Sequence, residues 1–202
     1  MKQLFFSLIL SICILGKANA QELDSLKNYN RWSVAALCGV NYQGTHFLNG
    51  SYSNFNFGVR GDYHLSPIWA IGLEGMAYVG NHGQFSYGKS IVSTNINVIG
   101  TCNLMNLFSG YHGSPRKFEV DGLVGFGWGH FFSDIWPYSD ANDDGTFKFG
   151  FDFAYNLGND RQWKLFLEPA LIYELADGDN KKTGLNFSHS LISVSLGATY
   201  SF

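Results

Sequence analysis

A helical membrane crossing needs about 20 consecutive apolar residues, and no stretch beyond residue 20 of this chain comes near that length. Helical spans are therefore excluded; strands, which cross in roughly ten residues, are not. Charge is scarce too: Asp, Glu, Lys and Arg make up 14% of the sequence, against roughly 25% in ordinary soluble domains. A surface so poor in charge needs a solvent other than water. There is no basic stripe, which excludes nucleic acid as a partner. Six histidines are dispersed without metal-ligand spacing, so structural or surface roles are expected for them and no cofactor is implied. Three cysteines, Cys13, Cys38 and Cys102, do not make a disulfide framework. Cys38 and Cys102 are expected to be unbonded small apolar side chains.

What is present starts with an export signal. Lys2 precedes an apolar run over residues 4–16, and Ala18, Asn19 and Ala20 follow as an Ala-x-Ala cleavage site. Residues 1–20 are thus read as a signal peptide, residues 21–31 as a segment outside the membrane, and residues 32–202 as one folded domain. Loss of Lys2 and Lys17 leaves 11 basic against 16 acidic residues, a formal charge of −5. Aromatics reach 17% and glycines number 24.

The domain alternates with period two, which only strands produce. Phe55, Phe57, Val59, Tyr63 and Leu65 fall on one face of residues 54–65, with Asn54, Asn56, Arg60, Asp62 and His64 on the other. Residues 68–79 set Trp69, Ile71, Leu73 and Val79 against Gly72, Glu74 and Tyr78, and Ser66 with Pro67 joins the two segments as a tight turn. If both apolar faces point the same way, that turn must be a three-residue loop with Leu65 opposite Trp69, which puts Arg60 across from Glu74. The same alternation recurs from Trp32 to Tyr42, from Val92 to Leu104, from Phe118 to Trp128, from Phe147 to Tyr155, from Trp163 to Tyr173 and from Ile192 to Phe202. The count is eight and even. Long connections near 43–53, 80–89, 132–145 and 176–187 interleave with short turns near 66–67 and 158–162, the pattern of an up-and-down transmembrane β-barrel with short turns at one end and long loops at the other. The connection 105–116 is long for the short-turn end, and a helical turn is expected there.

Bulk decides which face is outside. An eight-stranded barrel has an interior just wide enough for side chains to fill it, and Phe147, Phe149, Phe151, Phe153 and Tyr155 share one face of a single segment. These rings fit only against lipid. The fold class is therefore all-β, an eight-stranded antiparallel barrel with a polar lumen. Its interior charges are expected to be Arg60, Asp62, Glu74, Glu119, Asp121, Lys148, Asp152, Lys164, Glu168 and Glu174, paired as a structural plug rather than lining an open channel. Trp32, Tyr63, Trp69, Tyr155, Trp163 and Tyr200 lie near the short-turn ends of their segments, where an aromatic girdle would sit.

The alternation over residues 32–202, together with Asn106, Leu107, Phe108, Ser109, Gly110 and Tyr111 leading into Arg116, Lys117, Phe118, Glu119 and Val120, then Leu165, Phe166, Leu167, Glu168 and Pro169, and the terminal Tyr200, Ser201 and Phe202, resembles the outer-membrane β-barrel family typified by the OmpA transmembrane domain and the OmpX-type small barrels. The resemblance implies residence in a Gram-negative outer membrane, contact with outer-membrane lipid, and Phe202 as a signal read by the outer-membrane assembly machinery. Nothing follows Phe202, so the peptidoglycan-binding domain of longer relatives is expected to be absent and a cell-wall role is not carried over. Surface loops such as 82–87 and 135–138, aromatic and polar, are where extracellular partners would be met.

Catalytic and metal signals are weak beside this. Ser188, His189 and Ser190 are adjacent on a strand, so base and nucleophile diverge to opposite faces, and no enzyme activity is expected. Asp140, Asn142 and Asp144 with Gly145 match the opening half of a calcium loop, but Phe151 stands where a bidentate Glu is needed and Lys148 where a ligand or its water would be. A solvated surface loop is the favoured reading. The leading function is a structural or interaction barrel; the alternative is a narrow gated pore or ligand-handling barrel.

Overall fold

The computed structural model describes residues 30–43, 53–81, 89–131, 142–157, 162–174 and 190–202. Eight strands form: β1 (Trp32–Gln43), β2 (Ser53–His64), β3 (Trp69–Asn81), β4 (Lys89–Asn103), β5 (Phe118–Phe131), β6 (Asn142–Leu157), β7 (Trp163–Glu174) and β8 (Ser190–Ser201). Each pairs antiparallel with its neighbour in sequence, and β1 pairs with β8, so the sheet closes into a barrel without edges. The shortest strands have 12 residues and the longest 16, enough for the tilted crossing of a hydrocarbon core.

Side chains sort as the alternation requires. Leu73 is 59% exposed while its neighbour Glu74 is fully buried, and the pattern holds around the wall, with Val59, Ile96, Val98, Phe126, Leu165 and Leu196 outward. The β2–β3 turn fixes this parity. The Leu65 amide donates to the Trp69 carbonyl at 2.9 Å and the Ser66 amide to the same oxygen at 3.1 Å. Ser66 Oγ accepts from the amides of Ile68 and Trp69 at 3.2 and 3.0 Å, tying the turn around Pro67. The register that results sets Tyr63 opposite Ile71, Asp62 opposite Gly72 and Arg60 opposite Glu74.

β4 departs from strict alternation. Tyr78 faces Ser93 but Val79 faces Ile91, so Val92 is the extra residue of a β-bulge. Ile91 is therefore the outward residue beside Val79, where alternation alone assigned Val92; one inserted residue reverses the parity beyond it. Leu104, assigned by its spacing to the apolar face of β4, instead begins a helix, α1 (Leu104–Ser109). Asn103 caps it, its Oδ1 accepting from the Asn106 amide at 2.8 Å, and Gly110 ends it at a φ of +73°.

The interior is less polar than the sequence suggested. Ala35, Leu37, Met76, Tyr78, Ala154, Phe166 and Ile172 pack together inside the barrel. Large inward side chains stand opposite glycines: Phe166 opposite Gly197, Met76 opposite Gly58, and Ile99 opposite Gly125. In each pair the larger side chain occupies the space a β-carbon on the glycine would take. This large-to-small complementarity is how a narrow barrel fills itself.

Candidate functional site

The lumen is where charge concentrates. Arg60 on β2 and Asp152 on β6 belong to strands four places apart in a ring of eight, on opposite walls, yet Arg60 Nη2 donates to Asp152 Oδ2 at 2.6 Å. Its Nη1 donates to Glu168 Oε2 on β7 at 2.6 Å. Asp62 Oδ2 lies 3.4 Å from Nε and Glu74 Oε2 lies 3.8 Å from Nη1. The guanidinium also sits over the Phe166 ring, 5.1 Å from its centroid. Arg60 is the hub of the lumen because its planar fork can serve several carboxylates at once.

Lys148 completes the lattice. Its Nζ donates to both Glu74 carboxylate oxygens at 2.8 Å and lies 2.6 Å from Glu168 Oε1. Arg60 does stand across from Glu74 in the ladder, but the contact between them is the longest in the cluster. Glu74 pairs with Lys148, and Arg60 reaches over the lumen instead. Cross-strand neighbours project side by side from one wall, whereas long side chains in a narrow barrel meet at its axis.

Toward the short-turn end, Lys164 Nζ lies 3.4 Å from Asp121 Oδ2, and Glu119 Oε1 accepts from the Arg116 amide at 3.2 Å. A polar cavity of about 40 Å³ opens among Asp62, Glu119, Asp121, Asp152, Lys164 and His64, more than the ~10–15 Å³ that one water needs. Among the described residues the interior holds the carboxylates of Asp62, Glu74, Glu119, Asp121, Asp152 and Glu168 against the cations Arg60, Lys148 and Lys164. The side chain of Glu174 lies outside the described set.

Further toward the long-loop end the lumen carries neutral hydrogen bonds that charge-based reasoning passed over. Asn56 Nδ2 donates to Asn41 Oδ1 at 2.6 Å and to Ser193 Oγ at 3.1 Å, and Ser195 Oγ donates to Asn56 Oδ1 at 3.1 Å. Thr146 Oγ1 joins Asn95 and Asn97, and Asn97 Nδ2 donates to Glu74 Oε1 at 3.2 Å. A signal existed: asparagine is disfavoured in strands unless something specific satisfies it.

The six aromatics expected to form a girdle all sit at the short-turn end. Trp32 packs on Tyr63 with ring centroids 4.8 Å apart, and Trp163 on Tyr200 at 5.0 Å. Trp69 opens β3, and Tyr155 stands opposite Phe118 near the end of β6. Phe202 is largely exposed and stacks on Tyr200 with centroids 6.2 Å apart. Cys38 and Cys102 are both free thiols. The half-motif for calcium does not form a loop as read: residues 142–145 are already strand, with Asn142 opposite Phe131 and Asp144 opposite Gly129. An extended backbone cannot wrap an ion as a calcium loop does. Asp140, Ser188, His189 and the loops 82–87 and 135–138 lie outside the described residues, and Ser190 opens β8. No group of three or more His, Cys, Asp or Glu side chains among the described residues converges as metal ligands.

Comparisons with known proteins give fold likeness and no closer kinship. No family profile matches the chain, and no curated protein sequence does. Among solved structures, the N-terminal β-barrel domain of Pseudomonas aeruginosa OprF is 9% identical with a TM-score of 0.52, covering 86% of this chain and 100% of that one. Neisserial surface protein A is 11% identical with a TM-score of 0.56, covering 85% of this chain and 96% of that one. The fold is thus that of the small outer-membrane barrels, and the apolar outer wall is that of a barrel that crosses a membrane.

Proposed function

We propose that the chain is an integral outer-membrane protein with a structural or interaction role, its lumen closed and its loops free to meet partners. The observation that carries this reading is the pair of contacts spanning the lumen, Arg60 to Asp152 and Lys148 to Glu74. Among the described residues a salt-bridge lattice crosses the full diameter, and the apolar cluster around Phe166 fills more of the same bore. Phe202, exposed beside Tyr200 at the end of β8, is suited to be the residue that the outer-membrane assembly machinery reads. No catalytic arrangement enters this proposal, since Glu74, Asp152 and Glu168 are engaged with Arg60 and Lys148 rather than presented to a substrate.

Purified barrel inserted into planar bilayers should give no stepwise current, whereas a double Arg60→Ser, Lys148→Ser variant that still folds should admit small ions. Steady unitary conductance from the unaltered protein would overturn the closed-lumen reading. It would favour the second reading, a narrow gated pore, for which the acid-lined cavity of about 40 Å³ at the short-turn end would be the entry.

A further inference from the structure

The connection between β4 and β5 is built in a way that closing a barrel does not require. Leu104, Leu107 and Phe108 recur at helical spacing on one side of α1, with Asn106 on the other. Leu104 is the link to the wall. Its side-chain carbons lie 3.7–3.9 Å from where a β-carbon of Gly122 would stand. Gly122 shares the outward parity of Phe118, Val124 and Phe126. Leu104 therefore packs against the outer surface of the barrel, level with the row that contains Trp69 and Cys102.

Its rotation is fixed from the polar side. Asn106 is buried and donates from Nδ2 to the Pro67 carbonyl at 2.9 Å. Arg116 clamps the far end, donating from Nη2 to the Gly110 carbonyl at 2.8 Å and from Nε to Asn106 Oδ1 at 3.4 Å. Held this way, Phe108 projects outward at 83% exposure, against 63% for Leu65, the next most exposed large apolar side chain among the described residues. A single exposed Phe is ordinary on a soluble protein; here it shares its side of α1 with Leu104, which packs on the lipid-facing wall. Within residues 104–117 the charge is of one sign, carried by Arg116 and Lys117. Arg31, Arg116 and Lys117 lie in the described turns of this end, which contain no Asp or Glu. Lys117 is exposed, with its ammonium 5.5 Å from the Tyr155 ring centroid at girdle height.

We infer that residues 104–117 form a membrane-interface anchor: Leu104 and Phe108 lodge among the acyl chains of the leaflet at the short-turn end, and Lys117 holds the phosphate of an anionic phospholipid. This rests on the reading of the barrel as membrane-spanning. Apolar continuity with the wall and cationic complementarity to phosphate both point to lipid as the occupant.

The test uses the whole barrel in phosphatidylethanolamine–phosphatidylglycerol bilayers. With Cys38→Ala and Cys102→Ala in place, nitroxide labels are attached at Phe108→Cys, at Ile96→Cys on the outer wall, and at His112→Cys on the exposed loop. The label at 108 should collide preferentially with oxygen, like that at 96, at a depth of about 5–10 Å; the label at 112 should favour a water-soluble nickel chelate. A label at 108 that behaves like 112 while 96 stays in lipid overturns the anchor alone. Nickel access at 96 would instead overturn the membrane reading and the anchor with it. For the headgroup, Lys117→Gln should lower phosphatidylglycerol retention, counted by native mass spectrometry from mixed-lipid nanodiscs, roughly five-fold, with Lys117→Arg restoring it. Unchanged retention in Lys117→Gln would overturn the assignment of Lys117.

Discussion

Arg60 and Lys148 each hold more than one buried carboxylate in the lumen, so removing either cation strands acidic side chains. Lys148 contacts both Glu74 and Glu168 within 2.8 Å, so among the cations Lys148→Met leaves Glu74 with only the 3.8 Å contact to Arg60 and Glu168 with Arg60 alone. Breaking a buried pair from one side costs about 3–5 kcal/mol, and that loss is expected in denaturant unfolding of the barrel from lipid vesicles. Adding Glu74→Gln to Lys148→Met should recover part of it, because the uncompensated charge is then smaller. A double variant less stable than Lys148→Met by the full cost of the second change would show the two side chains to be independent. The identities of the lumen charges were readable from strand parity, while their partners were not. Parity says which wall a side chain leaves, and pairing depends on which opposite wall it can reach.

At the level of elements, the strands are matched by volume as well as by register. Gly197 on β8 faces the Phe166 ring on β7 so closely that a β-carbon there would collide with ring atoms, whereas the β-carbon position of Gly75 meets nothing within 4 Å. Gly197→Ala should therefore destabilise the barrel by about 1–3 kcal/mol through overpacking, and Gly75→Ala should stay within about 0.5 kcal/mol of the parent. Phe166→Leu added to Gly197→Ala should restore most of the loss if the ring is the obstacle. Equal unfolding midpoints for the two single Gly→Ala variants would refute this account of packing. The bulge at Val92 belongs to the same scale and escaped a reading that extended one period through β4; the helical turn expected over 105–116 does form, but it starts at Leu104, which that period places on the strand. A single inserted residue leaves almost no trace in hydrophobicity while reversing every face beyond it.

For the whole molecule, the decisive property is that the polar side is inside. Val98 stands in a row with Leu73 and Phe126, well above the girdle row of Trp69. Val98→Arg should cost about 2–4 kcal/mol, the depth-dependent charge for a cation near the bilayer midplane. Arg in place of Leu65, in the short turn, should cost about 1 kcal/mol or less. Unfolding the two variants from vesicles of fixed lipid composition measures both, and equal costs would mean that the outer wall does not face a hydrocarbon slab.

The alternation of apolar and polar residues by itself determined eight strands, their sequence-neighbour pairing, the register of β2 with β3 and the outward placing of the large rings. Those are consequences of a period of two and of a bore too narrow for aromatics. Only the tertiary structure decided that Arg60 spans the lumen to Asp152 and Glu168, that Lys148 takes Glu74, that Phe166 fills the space above Gly197, and that Leu104 of α1 packs against the outer wall. The ion pairs join residues on different walls, Phe166 and Gly197 meet between neighbouring strands, and Leu104 reaches the wall from outside the sheet. Closure of the sheet sets those distances, and no pattern along a single strand encodes them.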